Sequence, residues 1–225
     1  MISVLSQKNA IELDEITISS KYLSEHQLMD NSGKRIAQFI LEHIHNPFNQ
    51  KFVIIAGPGN NGGDGIISHY YLRAYGVESN LLLFDIDQKN SWIFNEYEIN
   101  SKSIQFYDES YNFNPLTWYI DGIFGIGLKR NVKGIYKDVI ERLKKCPLII
   151  SIDLPSGIYC DTGLKAGSNV ISVYTLTMGF PKLGHYFNDG IESSGYLHIL
   201  DVGFKPLLNS NSNQFIKQIE QDDIS

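Results

Sequence analysis

Phe52-Val53-Ile54-Ile55-Ala56-Gly57-Pro58-Gly59-Asn60-Asn61-Gly62-Gly63-Asp64-Gly65 is the stretch that decides the fold. An apolar, β-favouring run stops at Ala56 and gives way to a loop carrying five glycines and a proline. Ile66, Ile67, Tyr70, Tyr71 and Ala74 then recur at helical spacing. Strand, glycine-rich turn and helix in that order aim backbone N–H groups at a ligand at the mouth of an α/β sheet. Gly57, Gly59 and Gly62 also satisfy the spacing G-x-G-x-x-G.

The residues between those glycines narrow the chemistry. A dinucleotide loop leaves nothing negative between the helix start and the pyrophosphate, yet Asp64 stands there. Its charge would repel a phosphate but could hold a cation or a substrate hydroxyl. Asn60 and Asn61 add amide donors and carbonyl acceptors suited to sugar hydroxyls or a hard cation. No Gly-Lys-Ser/Thr follows, which excludes a P-loop nucleotide hydrolase. Helix capping accounts for one of these residues, not for all of them.

Outward from this stretch, helix and strand patterns alternate. Helices are expected over 6–15, 22–45, 63–75, 90–102 and 134–145, and strands over 51–56, 79–84, 117–121, 147–152, 172–178 and 196–201. Residues 103–116 read as loop. The polar tail after Pro206 carries Phe215 and Ile219, which could close the chain with a short helix. Alternation of this kind predicts a mostly parallel sheet covered on both faces. With no internal repeat and no domain-sized linker, residues 1–225 are expected to form one domain.

Two further aspartates end apolar strands. Trp118-Tyr119-Ile120-Asp121-Gly122-Ile123-Phe124-Gly125-Ile126-Gly127-Leu128-Lys129-Arg130-Asn131 enters a second glycine-bearing loop, and Ile149-Ile150-Ser151-Ile152-Asp153-Leu154-Pro155-Ser156-Gly157 enters a proline turn. In an open parallel sheet, ligands bind outside the carboxyl ends of the strands. Three loops are therefore expected to gather Asp64, Asp121 and Asp153 with Asn61 and Ser156. Carboxylates that close repel one another unless a cation or a shared proton compensates. Oxygen ligands from Asn61, Asp121 and Ser156 suit a hard cation, and Lys129 and Arg130 offer charge to a ligand phosphate.

Composition sets the outer bounds. The formal net charge of −6 argues against nucleic acid. Cys146 and Cys160 fit neither a C-x-x-C redox site nor a zinc framework, so a reducing, cytoplasmic setting is expected. The first residues show no secretory pattern, and no apolar run approaches membrane-spanning length.

Taken together, Gly57-Pro58-Gly59-Asn60-Asn61-Gly62-Gly63-Asp64-Gly65, the Asp121-x-x-Phe-Gly-x-Gly-Leu-x-Arg loop and Ser151-Ile152-Asp153-Leu154-Pro155-Ser156-Gly157 resemble the YjeF N-terminal domain family, the NAD(P)H-hydrate epimerases. Leu28 to Gly33, Asp161-Thr162-Gly163, Pro181-Lys182 and Asp201-Val202-Gly203 resemble other landmarks of that family, so the likeness spans nearly the whole chain. Asp30 and Ser32 replace its usual Glu and Ala. The resemblance implies a Rossmann-like three-layer α/β/α sandwich, a potassium ion and a homodimer. It implies as substrate NADHX or NADPHX, the cofactors hydrated at C6 of the nicotinamide ring. Residue by residue, Asn60, Asn61, Gly62, Gly63 and Asp64 would contact the substrate. Gly125, Ile126, Gly127, Leu128, Lys129, Arg130 and Asn131 would wrap it, and Asp153 would lie near the reacting ring. Asn61, Asp121 and Ser156 would hold potassium. Many relatives are fused to a dehydratase; here that activity is expected in a separate protein.

The implied reaction has a clear chemical need. Lone-pair push from the ring nitrogen expels hydroxide from the hemiaminal carbon, and water returning to the other face inverts it. That takes an acid, a base and negative charge near the cationic intermediate. Asp153 is expected to move the proton while Asp121 and its cation shape the field; Lys182 is a weaker candidate, and none of the six histidines, His185 included, has an assigned role. Two alternatives remain at this stage. One is a nicotinamide-dependent dehydrogenase using Asp85 at the end of the next strand, against which Asp64 argues. The other is a non-catalytic nucleotide-binding or scaffold module of the same fold, against which stands the retention of Asn61, Asp64, Asp121, Asp153 and Ser156.

Overall fold

The structure is a computed structural model that describes residues 2–85, 88–205 and 217–219. Phe52–Ala56 (β2) shows why its sequence is apolar at every position. Phe52, Ile54 and Ala56 enter one core cluster while Ile55, with Val53 at its edge, enters another, so both faces of the strand are covered. Seven strands make one sheet in the order β4-β3-β2-β5-β6-β7-β8, every neighbouring pair parallel. The other members are Ser79–Leu83 (β3), Ile104–Phe106 (β4), Trp118–Gly122 (β5), Ile149–Ile152 (β6), Tyr174–Met178 (β7) and Tyr196–Leu200 (β8). From β2 the chain winds outward through β3 to β4, then returns to β5 on the other side of β2. The strand order therefore reverses between β2 and β5, where a crevice must open at the carboxyl ends.

The larger core lies on one face, under Glu25–His43 (α2), Asn60–Ala74 (α3) and Ser91–Glu96 (α4); the other is covered by Gly134–Leu143 (α5) and long loops. At the start of α2, Ser24 Oγ accepts from Gln27 N (3.1 Å) and Gln27 Oε1 accepts from Ser24 N (2.9 Å), a reciprocal cap that fixes where the helix begins. Leu28, Met29, Ile36, Ala37, Phe39 and Ile40 then form its buried stripe. Gln7–Ser19 (α1) belongs to neither layer. Its Ala10 and Leu13, with Leu5, pack against Ile126, Phe180 and Phe204, which follow β5, β7 and β8. Thus α1 lies across the carboxyl ends of the strands, where it can wall the crevice.

Several boundaries differ from expectation. Helix α3 starts at Asn60 rather than residue 63, because Gly59 (φ +88°) makes the turn that lets the glycine-rich segment itself become the first helical turn. The helix expected over 90–102 is only Ser91–Glu96; the chain leaves it at Glu98, whose φ is +47°, and tightens into a 3-10 turn at Ser101–Ser103. Within the expected loop 103–116, Ile104–Phe106 pairs with β3 as an edge strand, too short to carry a period. A short helix, Asp189–Ser194 (α6), was not foreseen. Ile219 belongs to a strand, Lys217–Ile219 (β9), paired antiparallel with Ile2–Val4 (β1), not to a closing helix; Phe215 lies outside the described residues.

Candidate active site

The switch point is held closed by glycine. Gly57 N donates to Gly122 O (3.1 Å), joining the loops after β2 and β5. A Cβ on Gly57 would stand 2.1 Å from Ile123 O, and one on Gly62 would stand 1.9 Å from Gly57 O. The first and third glycines of the G-x-G-x-x-G spacing are thus required by backbone-to-backbone approach. Above this seam is a cavity of about 540 Å³, within the range of small-molecule sites. Asn60, Asn61 and Asp64 line it from α3, Gly125 to Leu128 from the loop after β5, Asp153 from the end of β6, and Asp14 from α1.

Asp153 is the most constrained residue of this wall. It is a non-glycine residue with φ +65° immediately after β6, and its N–H is tied to Leu176 O at 2.8 Å. Lys182 Nζ lies 2.6 Å from Asp153 Oδ1, and both side chains are almost fully buried. Thr177 Oγ1 donates to the same carboxylate (3.2 Å), while Lys182 Nζ also donates to Thr177 Oγ1 (2.8 Å) and Met178 O (3.1 Å). Burial works to raise the Asp153 carboxyl, but the Lys182 charge and hydrogen bond, with help from His185 and Thr177, hold it below its ordinary value. His185 is fixed as the neutral Nε2–H tautomer by its partners. Its Nδ1 accepts from Lys182 N (3.0 Å) and its Nε2 donates to Asp153 O (2.8 Å). Burial and the Lys182 charge push its pKa down to about 4.

Asp121 lies behind the wall, fully buried. Its carboxylate accepts from Ser151 Oγ (2.8 Å), Ser156 N (2.9 Å), Ser156 Oγ (2.5 Å) and Ile123 N (3.3 Å). Burial raises its pKa, and these bonds offset part of the rise. Ser156 Oγ in turn accepts from Phe124 N (2.8 Å) and lies 3.2 Å from Phe124 O. One carboxylate and several neutral oxygens are therefore gathered under the loop. Beside them, Asn61 Nδ2 is buried with no hydrogen-bond partner among the described residues. A Cβ on Gly125 would stand 3.0 Å from Asn61 Oδ1 and 3.2 Å from Asp153 Oδ2, so Gly125 leaves open the space between those two side chains.

Two more carboxyl groups face the cavity. Burial, then the charges of Asp153 and Asp14, push Asp64 well above its ordinary range, against the pull of a Ser32 hydrogen bond and Lys182. Burial and the Asp153 charge raise Asp14 to about 6, with Glu25 and Glu15 adding to the rise and Lys182 opposing it.

The loops after β2, β5 and β6 do bring Asn60, Asn61, Asp64, Gly125, Ile126, Gly127, Leu128 and Asp153 together, with Asp121 and Ser156 buried beneath. Gly62 and Gly63 are buried inside α3, where they permit close packing. Lys129 and Arg130 are exposed beyond the cavity lining, and Asn131 accepts a bond from Tyr159 OH (2.9 Å) instead. Asp85 is exposed and also lies outside the lining. The sequence marks Lys182 only weakly and Asp14 not at all, yet both line the cavity. The available signal for Asp14 was an acid beside the buried stripe Ala10, Leu13 and Thr17 of α1.

Seven parallel strands, helices on both faces and a carboxylate-lined crevice at the strand-order switch define a Rossmann-like α/β sandwich with a small-molecule site. Residues 25–184 match the family described as YjeF-related protein N-terminus, and the chain belongs to that family. It is 31% identical over 220 residues to the bifunctional NAD(P)H-hydrate repair enzyme Nnr of Thermofilum pendens, covering 92% of this chain but 42% of that protein. It is 28% identical to the NAD(P)H-hydrate epimerase of Lentilactobacillus buchneri, over 90% of this chain and 95% of the relative. With the NAD(P)H-hydrate epimerase of Entamoeba histolytica it shares 31% identity, over 90% and 89% of the two chains. The crystal structure of yeast ynu0, YNL200c, superposes with a TM-score of 0.72 at 22% identity, over 96% of this chain and 99% of that one, which speaks to the fold. Among the described residues no helix is long and apolar enough to cross a membrane.

Proposed function

We propose that this chain is an NAD(P)H-hydrate epimerase, an isomerase that interconverts the R and S forms of NADHX and NADPHX. The observation that carries the reading is the buried Asp153–Lys182 pair opening onto a cavity that also collects Asn61, Asp64 and Asp14. Five acidic side chains (Asp14, Glu15, Glu25, Asp64, Asp153) and two lysines (Lys89, Lys182) line that cavity, and the ionised Asp153 among them favours a reacting ring that gains positive charge. As the ring nitrogen pushes hydroxide from C6, the Asp153 carboxylate faces the developing cation. Held ionised by Lys182, it then takes the proton of the water that adds. The phosphates of the substrate belong outside this acidic end, toward the mouth and the exposed Lys129 and Arg130.

Potassium fits the residues present. Asp121 and Ser156 offer oxygens close together, Asn61 Oδ1 borders the space that Gly125 leaves open, and a single carboxylate suits a cation of low charge. Bound there, the ion would supply fixed positive charge that orders the loop after β5. A homodimer and a dehydratase acting on the same metabolite complete the reading.

The test follows one purified epimer of NADHX by chromatography, with and without potassium, using Asp153→Asn as control. Potassium-stimulated equilibration that falls by two to four orders of magnitude in the variant is expected. Interconversion at the spontaneous rate by folded protein would instead leave the crevice as a binding site.

A further inference from the structure

We propose that Asp14 is a second proton-transfer residue of the site, delivering the proton to the departing hydroxyl on the ring face opposite Asp153. The inference rests on the epimerase reading above. Epimerisation is two-faced: hydroxyl leaves one side of a planar intermediate and water adds to the other. A carboxylate at one position cannot reach both sides of a ring lying against it. Asp153 enters the cavity from the end of β6, whereas Asp14 enters from α1, the helix laid across the strand ends. These two walls come from unrelated parts of the chain and enclose the same space.

Asp14 is also free to act. It is only partly exposed, yet no hydrogen bond or ion pair engages its carboxyl among the described residues, in contrast to Asp121 with its four donors. The charged groups around it are Glu15 on its own helix, Glu25 at the start of α2, where it pairs with Lys89 at 3.3 Å, and Asp64, Asp153 and Lys182 lining the same cavity. Burial and this largely negative surrounding favour the protonated form, with a pKa of about 6, while Lys182 keeps Asp153 ionised. An acid and a base with environments that push them apart are what the reaction needs at rest.

The step balances. The ring nitrogen lone pair forms the C=N bond as the C6–O bond breaks, and the Asp14 proton converts the leaving hydroxide to water. A second water adds to the opposite face and gives its proton to Asp153. The site is left with Asp14 ionised and Asp153 protonated, poised for the reverse direction, and exchange with solvent through the open cavity resets it.

The experiment measures epimerisation of NADHX from each pure epimer across pH 5–9 for wild type, Asp14→Asn and Asp14→Glu, with binding of NADHX measured separately. Expected for wild type is a rate that falls above about pH 6 in both directions alike, because the site there loses the proton that Asp14 carries and the two epimers hold the same number of protons. In Asp14→Asn the rate should drop at least 100-fold with NADHX binding within threefold, and the alkaline limb should vanish; Asp14→Glu should restore part of both. A folded Asp14→Asn that keeps the wild-type rate and limb overturns the proposal and leaves the epimerase reading intact. A wild type with no activity above the spontaneous rate overturns both.

Discussion

Lys182 Nζ and Asp153 Oδ1 stand 2.6 Å apart with their side chains all but removed from solvent. Lys182→Met leaves a buried carboxylate with no counter-charge, and breaking such a pair from one side costs about 3–5 kcal/mol. The pH dependence fixes the sign. With Lys182 present the folded carboxyl sits below its ordinary value, so the pair stabilises above the unfolded pKa and that contribution fades as pH falls through the folded one. In Lys182→Met the lysine's lowering is gone, and burial, opposed only by Thr177 and His185, raises the carboxyl. Urea melts should therefore show the largest deficit near pH 7.5 and a smaller one near pH 4. An equal deficit at both would mean that lost packing, not charge, dominates.

Asp14 has the opposite sign. Its folded pKa, raised to about 6, means that the folded state keeps a proton that the unfolded chain has lost between pH 4 and 6. Stability should fall as pH rises through that window. Asp14→Asn should consequently stabilise the fold by about 1–2 kcal/mol at pH 8, after allowance for partial exposure, and by almost nothing at pH 3.5. The same substitution would slow catalysis, an exchange of activity for stability. Melts at the two pH values decide it.

Crowding and backbone strain separate cleanly at two glycines. A methyl at Gly62 meets Gly57 O at 1.9 Å, so Gly62→Ala must push the β2 loop from α3, with an expected cost of about 3 kcal/mol and loss of ligand binding. Gly76, after α3, has φ +85° but open space around it. Gly76→Ala should cost about 1 kcal/mol and leave activity unchanged. Paired denaturation and epimerisation assays would show whether the ranking holds.

Ser156→Ala deletes the hydroxyl that joins Asp121 Oδ1 to Phe124 N. Removing one member of a buried network costs about 1–3 kcal/mol, and here it should also abolish any potassium response of activity or melting temperature. Titration with potassium chloride against sodium chloride provides the reading. An undiminished response would move the cation elsewhere.

Much of the architecture was legible because parallel strands are apolar on both faces and their helices follow at a fixed period. Asp121 and Asp153 stood out because each ends such a run. The losses have physical causes too. Helix α3 extends back through Asn60 because Gly59 supplies a turn conformation that makes the glycine segment helical, which propensity alone disfavours. Strand β4 owes its existence to its neighbour β3 and not to a pattern of its own. Asp14 was hidden because nothing in α1 announces that the helix lies over the strand ends; that placement is set by Phe180 and Phe204, far along the chain.

The placement of α1 also bears on how the protein comes into being. Gln7 N bonds to Asp161 Oδ1 across 154 residues of sequence, and Asn31 reaches Val202 across 171. A nascent chain can wind its early strands as they emerge, but the wall carrying Asp14 lacks its packing partners Phe180 and Phe204 until β7 and β8 have been synthesised. Such long-range closure is slow compared with local folding. The reactive crevice is therefore among the last features to mature, and a truncated translation product would hold the cofactor loop without the chemistry.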